Sequence, residues 1–216
     1  MSARDGERIA LIGTGAVAEE MIQIFGSARF VACFTDPVYA AQARVDIPVL
    51  TDIERLAAVA THFVLGFSGH AARERLRARL LALGLQRALP LIAPSAQVSP
   101  SAQLAPGVLI GHFVCVGPRV QVGSDTLVMH TASIAHDSQV GADVFCGQGA
   151  KISGHARIGA RSALGANAVV GRGVAIGADA EIASGAVCFR DVADGYSAIG
   201  SPARLLAPAP PRRASR

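Results

Sequence analysis

The sequence predicts a chain in two parts, an α/β half-sheet followed by a coil of short strands. Three observations carry this. A glycine turn joins an apolar run to a helical pattern near the start, apolar and helical runs then alternate to about residue 93, and from Val98 onward a six-residue repeat runs without one insertion. With 216 residues, 51% hydrophobic and 17% charged, the chain is globular rather than disordered and long enough for two domains.

In the front part, "RIALIGTGAVAEEMIQIF" reads as a strand, a tight glycine turn and a helix. Gly13, Gly15 and Ala18 fill the places of G-x-G-x-x-G/A, a pattern that turns backbone N–H groups and a helix N-terminus toward a phosphate. "RFVACFTD" is a second strand ending at Asp36, whose carboxylate is placed to take ribose hydroxyls. "THFVLGFSG" is a third strand, followed by the helix "HAARERLRARLLALG", and "ALPLIA" is a fourth that leads into the repeat. The unit is β-α-β-α-β-α-β, a half-Rossmann domain over residues 1–92. A dinucleotide site takes two such halves, so one half implies a single nucleoside diphosphate with an attached sugar reaching toward the repeat. The plain alternative is a glycine turn that serves only to join the strand to the helix.

The repeat is cut as "VSPSAQ LAPGVL IGHFVC VGPRVQ VGSDTL VMHTAS IAHDSQ VGADVF" and onward to "CFRDVA". Every block begins with Val, Leu, Ile or Cys, the second place is Gly, Ala or Ser in all but two blocks, and the fifth is Ala, Val, Ser or Thr. A helix face would repeat its apolar positions every three or four residues, so this is a coil of strands. The aliphatic first residue points into a narrow prism, the small fifth lets the walls approach, and glycine is expected to let the corner backbone turn.

Composition narrows the partners. The first thirty residues carry charges and several glycines, so they read as neither a signal peptide nor a membrane span, and a cytoplasmic protein is expected. Cys33, Cys115, Cys146 and Cys188 show no zinc-ligand spacing and read as reduced structural thiols. The net charge is +4, part of it in a tail, residues 207–216, that reads as flexible. With no basic stripe and no interleaved aromatics, neither nucleic acid nor a membrane is an expected partner.

These hexads resemble the hexapeptide repeat of the left-handed parallel β-helix, in which three blocks make one triangular coil of eighteen residues. The handedness comes from the resemblance, because crossovers are otherwise right-handed. Together with the front domain, "SIAHDSQVG" at residues 133–141 and "DVADGYSAIGSPARLL" near the end, the chain from about residue 8 to 206 resembles the bacterial nucleotide-sugar acetyltransferases that act on 4-amino-sugars, and their sialic-acid O-acetyltransferase relatives. The resemblance implies a β-helix acyltransferase domain over residues 93–206, a homotrimer with ligands between subunits, acetyl-CoA as co-substrate, no metal, and a place in O-antigen or surface polysaccharide biosynthesis.

It also implies site residues. His136 takes the position of the general base that accepts the amine proton. Asp137 is placed to orient the ring, or else only caps the turn. Gly154, eighteen residues on, stacks one coil away, where its N–H could meet the oxyanion. The closing motif, with Gly200, Ser201, Pro202 and Arg204, recurs among hexapeptide acyltransferases and points to acetyl-CoA, as does Gly154. No cysteine lies in the "AHD" turn, so direct transfer through a ternary complex is expected.

Two positions depart from the family pattern. Met129 stands where many members have Asn, and Phe145 where they have a second His. The expectation is an acceptor pocket made partly apolar, favouring a 6-deoxy sugar; the alternative is that Phe145 covers the trimer seam. His112 and His130 are also eighteen apart, as ligands in a zinc β-helix such as a γ-class carbonic anhydrase might be, but the spacing of six from His130 to His136 and the front domain disfavour that reading, leaving solvated corner histidines. Two rival functions keep the fold: acetylation of a sugar hydroxyl, and a trimer that binds a nucleotide sugar without turnover. The nucleotide, UDP, dTDP or GDP, stays open.

Overall fold

The computed structural model describes residues 6–208. The front domain is a five-stranded parallel sheet in the order β3-β2-β1-β4-β5, with β1 Ile9–Ile12, β2 Phe30–Phe34, β3 Val49–Leu50, β4 His62–Leu65 and β5 Gln86–Arg87. Helices α1 Ala16–Phe25, α2 Ile53–Val59 and α3 His70–Ala82 connect them. Two strands differ from expectation. Val49–Leu50 adds an edge strand, and the last strand is Gln86–Arg87 rather than "ALPLIA". Leu91–Ile92 instead pairs with Leu109–Ile110 as the first strand of the β-helix, two residues before the expected boundary. The reason is phase: Ile92 stands six residues before Val98 and already obeys the hexad rule.

The second domain is a left-handed parallel β-helix of two-residue strands that pair eighteen residues apart, as in Cys115 with Ser133 and Ser133 with Lys151. Three sheets wall the prism. The front face carries Leu91–Ile92, Leu109–Ile110, Leu127–Val128 and Phe145–Cys146, the second face Gln97–Val98, Cys115–Val116 and Ser133–Ile134, and the third Gln103–Leu104, Gln121–Val122 and Gln139–Val140, each continuing upward. The last front-face strand, Ser197–Ile199, folds back against Arg204–Leu206 as an antiparallel hairpin. First and fifth hexad residues fill the interior, from Val108 and Ile110 to Ala186 and Cys188, all at or near zero exposure. Of the expected tail 207–216, residues 209–216 lie outside the described residues.

Glycine has two roles in the repeat, and at the second hexad place it does not turn the corner. A Cβ on Gly123, Gly159 or Gly177 would lie 2.4–2.5 Å from a backbone nitrogen of the next coil, so only a hydrogen fits between stacked turns. The corner is turned at the fourth place, where Gly107, Gly149, Gly173 and Gly185 hold φ between 69° and 80° as expected, and Phe113, Arg119, Asp125, Thr131, Asp137, Asp143, His155, Arg161, Asn167 and Asp179 hold φ between 55° and 61°. Asp and Asn tolerate that left-handed backbone best; Phe tolerates it poorly.

The domains are joined on the front face. Apolar residues of α1 and β1, among them Ala18, Met21 and Ile22, share a core with Leu109, Leu127 and Met129. Beside it, at the corner between the third and front faces, α3 is tied down by charge. Arg73 Nε donates to Asp143 Oδ1 at 2.5 Å, and Arg77 Nε and Arg87 Nε both donate to Asp125 Oδ2 at 2.8 Å. Arg73 also donates to the carbonyls of Leu65, Phe67 and Asp125, which satisfies a guanidinium buried almost completely.

Candidate active site

The corner between the second and third faces holds one converging set of polar side chains. His136 and Asp137 are the third and fourth residues of one hexad, and the left-handed backbone at Asp137, φ 60°, aims its carboxylate back along the turn. His136 Nδ1 and Asp137 Oδ2 are 2.7 Å apart. One coil below, Arg119 forks onto the same carboxylate, Nε to Oδ1 at 2.6 Å and Nη2 to Oδ2 at 2.9 Å. One coil above, the His155 ring meets His136 edge to face with centroids 5.1 Å apart. The Arg119 guanidinium and the His136 ring hold the Asp137 carboxyl far below the usual carboxylate range, so it stays anionic.

A carboxylate bound to Nδ1 leaves Nε2 of a neutral imidazole with its lone pair free. Gly154 keeps the space beside it open, because a Cβ there would lie 2.8 Å from His136 Nε2. The His136 side chain is 42% exposed, so a substrate can reach it. Donor atoms of His136, Asp137 and His155 fall within 4.8 Å of one another, the one metal-like grouping among the described residues. Hydrogen-bond donors at 2.6–2.9 Å already occupy both Asp137 oxygens, which suits proton handling better than ligation.

Above Gly154 the same column continues with Arg172 and Arg190, following the pairing of Lys151 with Val169 and Val169 with Val187. Three coils of parallel spacing put Arg190 roughly 14 Å above His136. There Cys188, Phe189 and Arg190 meet Pro202, Ala203 and Leu205 of the final hairpin around a cavity of ≈ 480 Å³. Gly200, at φ 91°, opens the hairpin turn that carries Ser201, Pro202 and Arg204.

The front domain has its own cleft of ≈ 320 Å³, lined by Gly13, Thr14, Gly15, Phe34, Thr35, Asp36, Tyr39, Gln42 and Phe67 among others. Gly13 is required twice over, by φ 116° and by a Cβ that would sit 3.1 Å from the Gly66 carbonyl oxygen. Gly15 instead faces open space, where a ligand can approach the start of α1. Ala18 is fully buried against the sheet, and Asp36 accepts from Arg75 Nη2 at 3.0 Å.

Met129 and Phe145 lie away from His136 within one chain. Met129 is 1% exposed inside the interdomain core, and Phe145 packs against the same cluster from the front face. That face lies opposite the His136 corner in the triangular section, so within one chain they line no pocket with His136. Sequence reasoning also missed Arg119 and His155. The signal was present, since both stand eighteen residues from Asp137 and must therefore stack on it. Of the cysteines, Cys33, Cys146 and Cys188 are buried and Cys115 is exposed; burial pushes the Cys33 and Cys146 thiols up to about 12. No helix among the described residues is long and apolar enough to cross a membrane.

Comparisons with known proteins agree with this geometry. A family profile described as bacterial transferase hexapeptide (six repeats) matches residues 155–190. No curated protein matches the chain. Among solved structures, a variant of perosamine N-acetyltransferase from Caulobacter crescentus in complex with CoA and GDP-perosamine is 27% identical, with a TM-score of 0.85 over 96% of this chain and 100% of that one. PerB from the same organism, also with CoA and GDP-perosamine, is 28% identical with the same TM-score and coverage. The acetyltransferase domain of PglB from Neisseria gonorrhoeae with acetyl coenzyme A shares the fold at 24% identity and a TM-score of 0.81, over 93% of this chain and 99% of that one. In fold and in its hexapeptide repeat the chain is similar to acetyltransferases solved with CoA bound.

Proposed function

We propose that the protein transfers the acetyl group of acetyl-CoA to the amine of a nucleotide-linked 4-amino-sugar, with His136 as general base. The observation that carries this is the Arg119–Asp137–His136 chain, which holds the imidazole by Nδ1 and leaves Nε2 beside Gly154. An ammonium is no nucleophile, so the amine must give up a proton as it attacks, and Nε2 takes it. Asp137 stabilises the imidazolium that forms, and the Gly154 N–H donates to the oxygen that becomes negative. The arginine column of Arg172 and Arg190 and the Pro202 cavity suit the phosphates and adenosine of coenzyme A, with its thioester end at His136.

Gly13, Gly15 and Asp36 then hold the nucleotide at the front cleft. Because the front face and the His136 corner lie on opposite sides of one prism, an acceptor held by one copy meets His136 of another, which favours a homotrimer. Thiol release with acetyl-CoA and UDP-, dTDP- or GDP-linked amino-sugars tests the reading. Release with an amine acceptor, absent in His136→Ala, is expected. Release with hydroxyl acceptors alone would make it an O-acetyltransferase, and nucleotide-sugar binding without release a non-catalytic trimer.

A further inference from the structure

His155 takes no part in the proton transfer described above, yet its ring stands against the base. The two histidines lie on adjacent coils, and the His155 backbone N–H donates to the His136 carbonyl at 3.0 Å, which registers one turn on the other. Their rings meet with centroids 5.1 Å apart and planes at 89°, an edge-to-face contact. The His155 nitrogens are not what Asp137 needs. His155 Nε2 lies 4.0 Å from Asp137 Oδ2, beyond hydrogen-bond reach, and that oxygen already has Arg119 Nη2 at 2.9 Å and His136 Nδ1 at 2.7 Å. What His155 brings to the corner is a ring.

The Asp137 contact holds the His136 ring at Nδ1 alone, and a ring pinned at one atom can still tilt. Gly154 does not stop it. A Cβ there would come within 2.8–3.3 Å of His136 Nε2, Cε1 and Cδ2, so the missing side chain gives the ring its room and also removes its wall. His155 is the next residue along that coil and supplies the wall from one place further on. The His136 side chain is 42% exposed and that of His155 49%, so the pair is set by this contact rather than by burial.

We infer that His155 is a positioning residue, whose ring keeps His136 Nε2 aimed at the acceptor amine. The inference rests on the reading of His136 as general base. Two substitutions separate the ring from its nitrogens. His155→Asn suits the left-handed backbone, φ 61°, and removes the ring; His155→Phe keeps a ring without nitrogens, and Phe113 already occupies the same hexad place at φ 57°. Thiol release from acetyl-CoA is followed with UDP-, dTDP- and GDP-linked 4-amino-sugars for the wild type, both variants and His136→Ala. His155→Asn should lower kcat about three- to tenfold at an acceptor KM near wild type, since the aim of a base counts in the transition state. His155→Phe should recover most of that loss, and the acid limb of kcat/KM against pH should stay in place in both variants. An unchanged kcat in His155→Asn, a loss in His155→Phe as large as in His155→Asn, or an acid limb shifted in both would overturn the positioning role and leave His136 as the base. Turnover of His136→Ala at the wild-type rate, or a wild type that releases no thiol with any acceptor, would overturn the base itself and the positioning role with it.

Discussion

Asp137 and Asp143 occupy the same fourth place of adjacent hexads, with φ of 60° and 59°, yet they belong to different kinds of site. Asp143, like Asp125 one coil below it, sits at the corner covered by α3, is 4% exposed, and is matched by Arg73 and Arg77. Asp137 sits at an open corner, where an exposed arginine steadies it and its second oxygen bonds a histidine. The repeat fixes the backbone at that place and says nothing of the role. What packs over the corner decides whether an aspartate clamps a domain or bonds an open histidine.

That contrast can be tested from its strongest consequence downward. His136→Ala should lower kcat by about 10²- to 10⁴-fold with nucleotide affinity near wild type, measured by thiol release and titration. A loss under about threefold with an intact assembly would move the base elsewhere. Asp143→Ala leaves the Arg73 guanidinium buried beside an empty place and should cost about 3 to 5 kcal/mol in urea unfolding. Asp137→Ala, on the same backbone, should leave the urea midpoint close to wild type and act on kcat instead. Equal stability losses from the two would erase the distinction between the corners.

Acid adds a third handle. Burial alone would raise the Asp143 carboxyl, but Arg73 and Arg77 outweigh it and the net shift is downward. Its stabilising contribution is therefore complete above about pH 4 and is lost as pH falls through the lowered folded value. Asp143→Asn should flatten that part of the stability curve below pH 4, read by urea midpoints at stepped pH. A smaller effect is expected at the cleft, where Asp36→Ala should raise the acceptor KM by roughly tenfold at nearly constant kcat, since a contact remote from the transferred group acts equally on ground and transition states. The smallest is Phe113→Asn, which relieves a bulky residue at φ 57° and should gain up to about 1 kcal/mol.

Much of this was legible before the coordinates. The hexad phase placed the inward residues from Val98 to Cys188, and Gly13, Gly15 and Asp36 fell together in one cleft as their spacing implied. Glycine turns the corner at the fourth place as its freedom at positive φ implies, but a repeat does not expose the neighbour in the next coil, whose backbone excludes a Cβ at Gly123 or Gly177. "ALPLIA" was assigned to the front sheet because a short apolar run looks the same in either sheet. Met129 was judged by comparison with a polar position rather than by the α1 face that covers it, so its burial stayed hidden. The Arg119 and His155 contacts needed only the eighteen-residue period applied to Asp137.

The column from His136 through Gly154 and Arg172 to Arg190 behaves as a ruler. Each coil advances it by one strand spacing, so its length is counted in whole coils and admits no intermediate value. A chain shortened by residues 156–173 would keep every inward residue in phase, yet it would shorten the span between His136 and Arg190 by about 4.8 Å. The fold would accept that edit, whereas a co-substrate of fixed reach would not. In this architecture the size of a substrate is written as a number of turns.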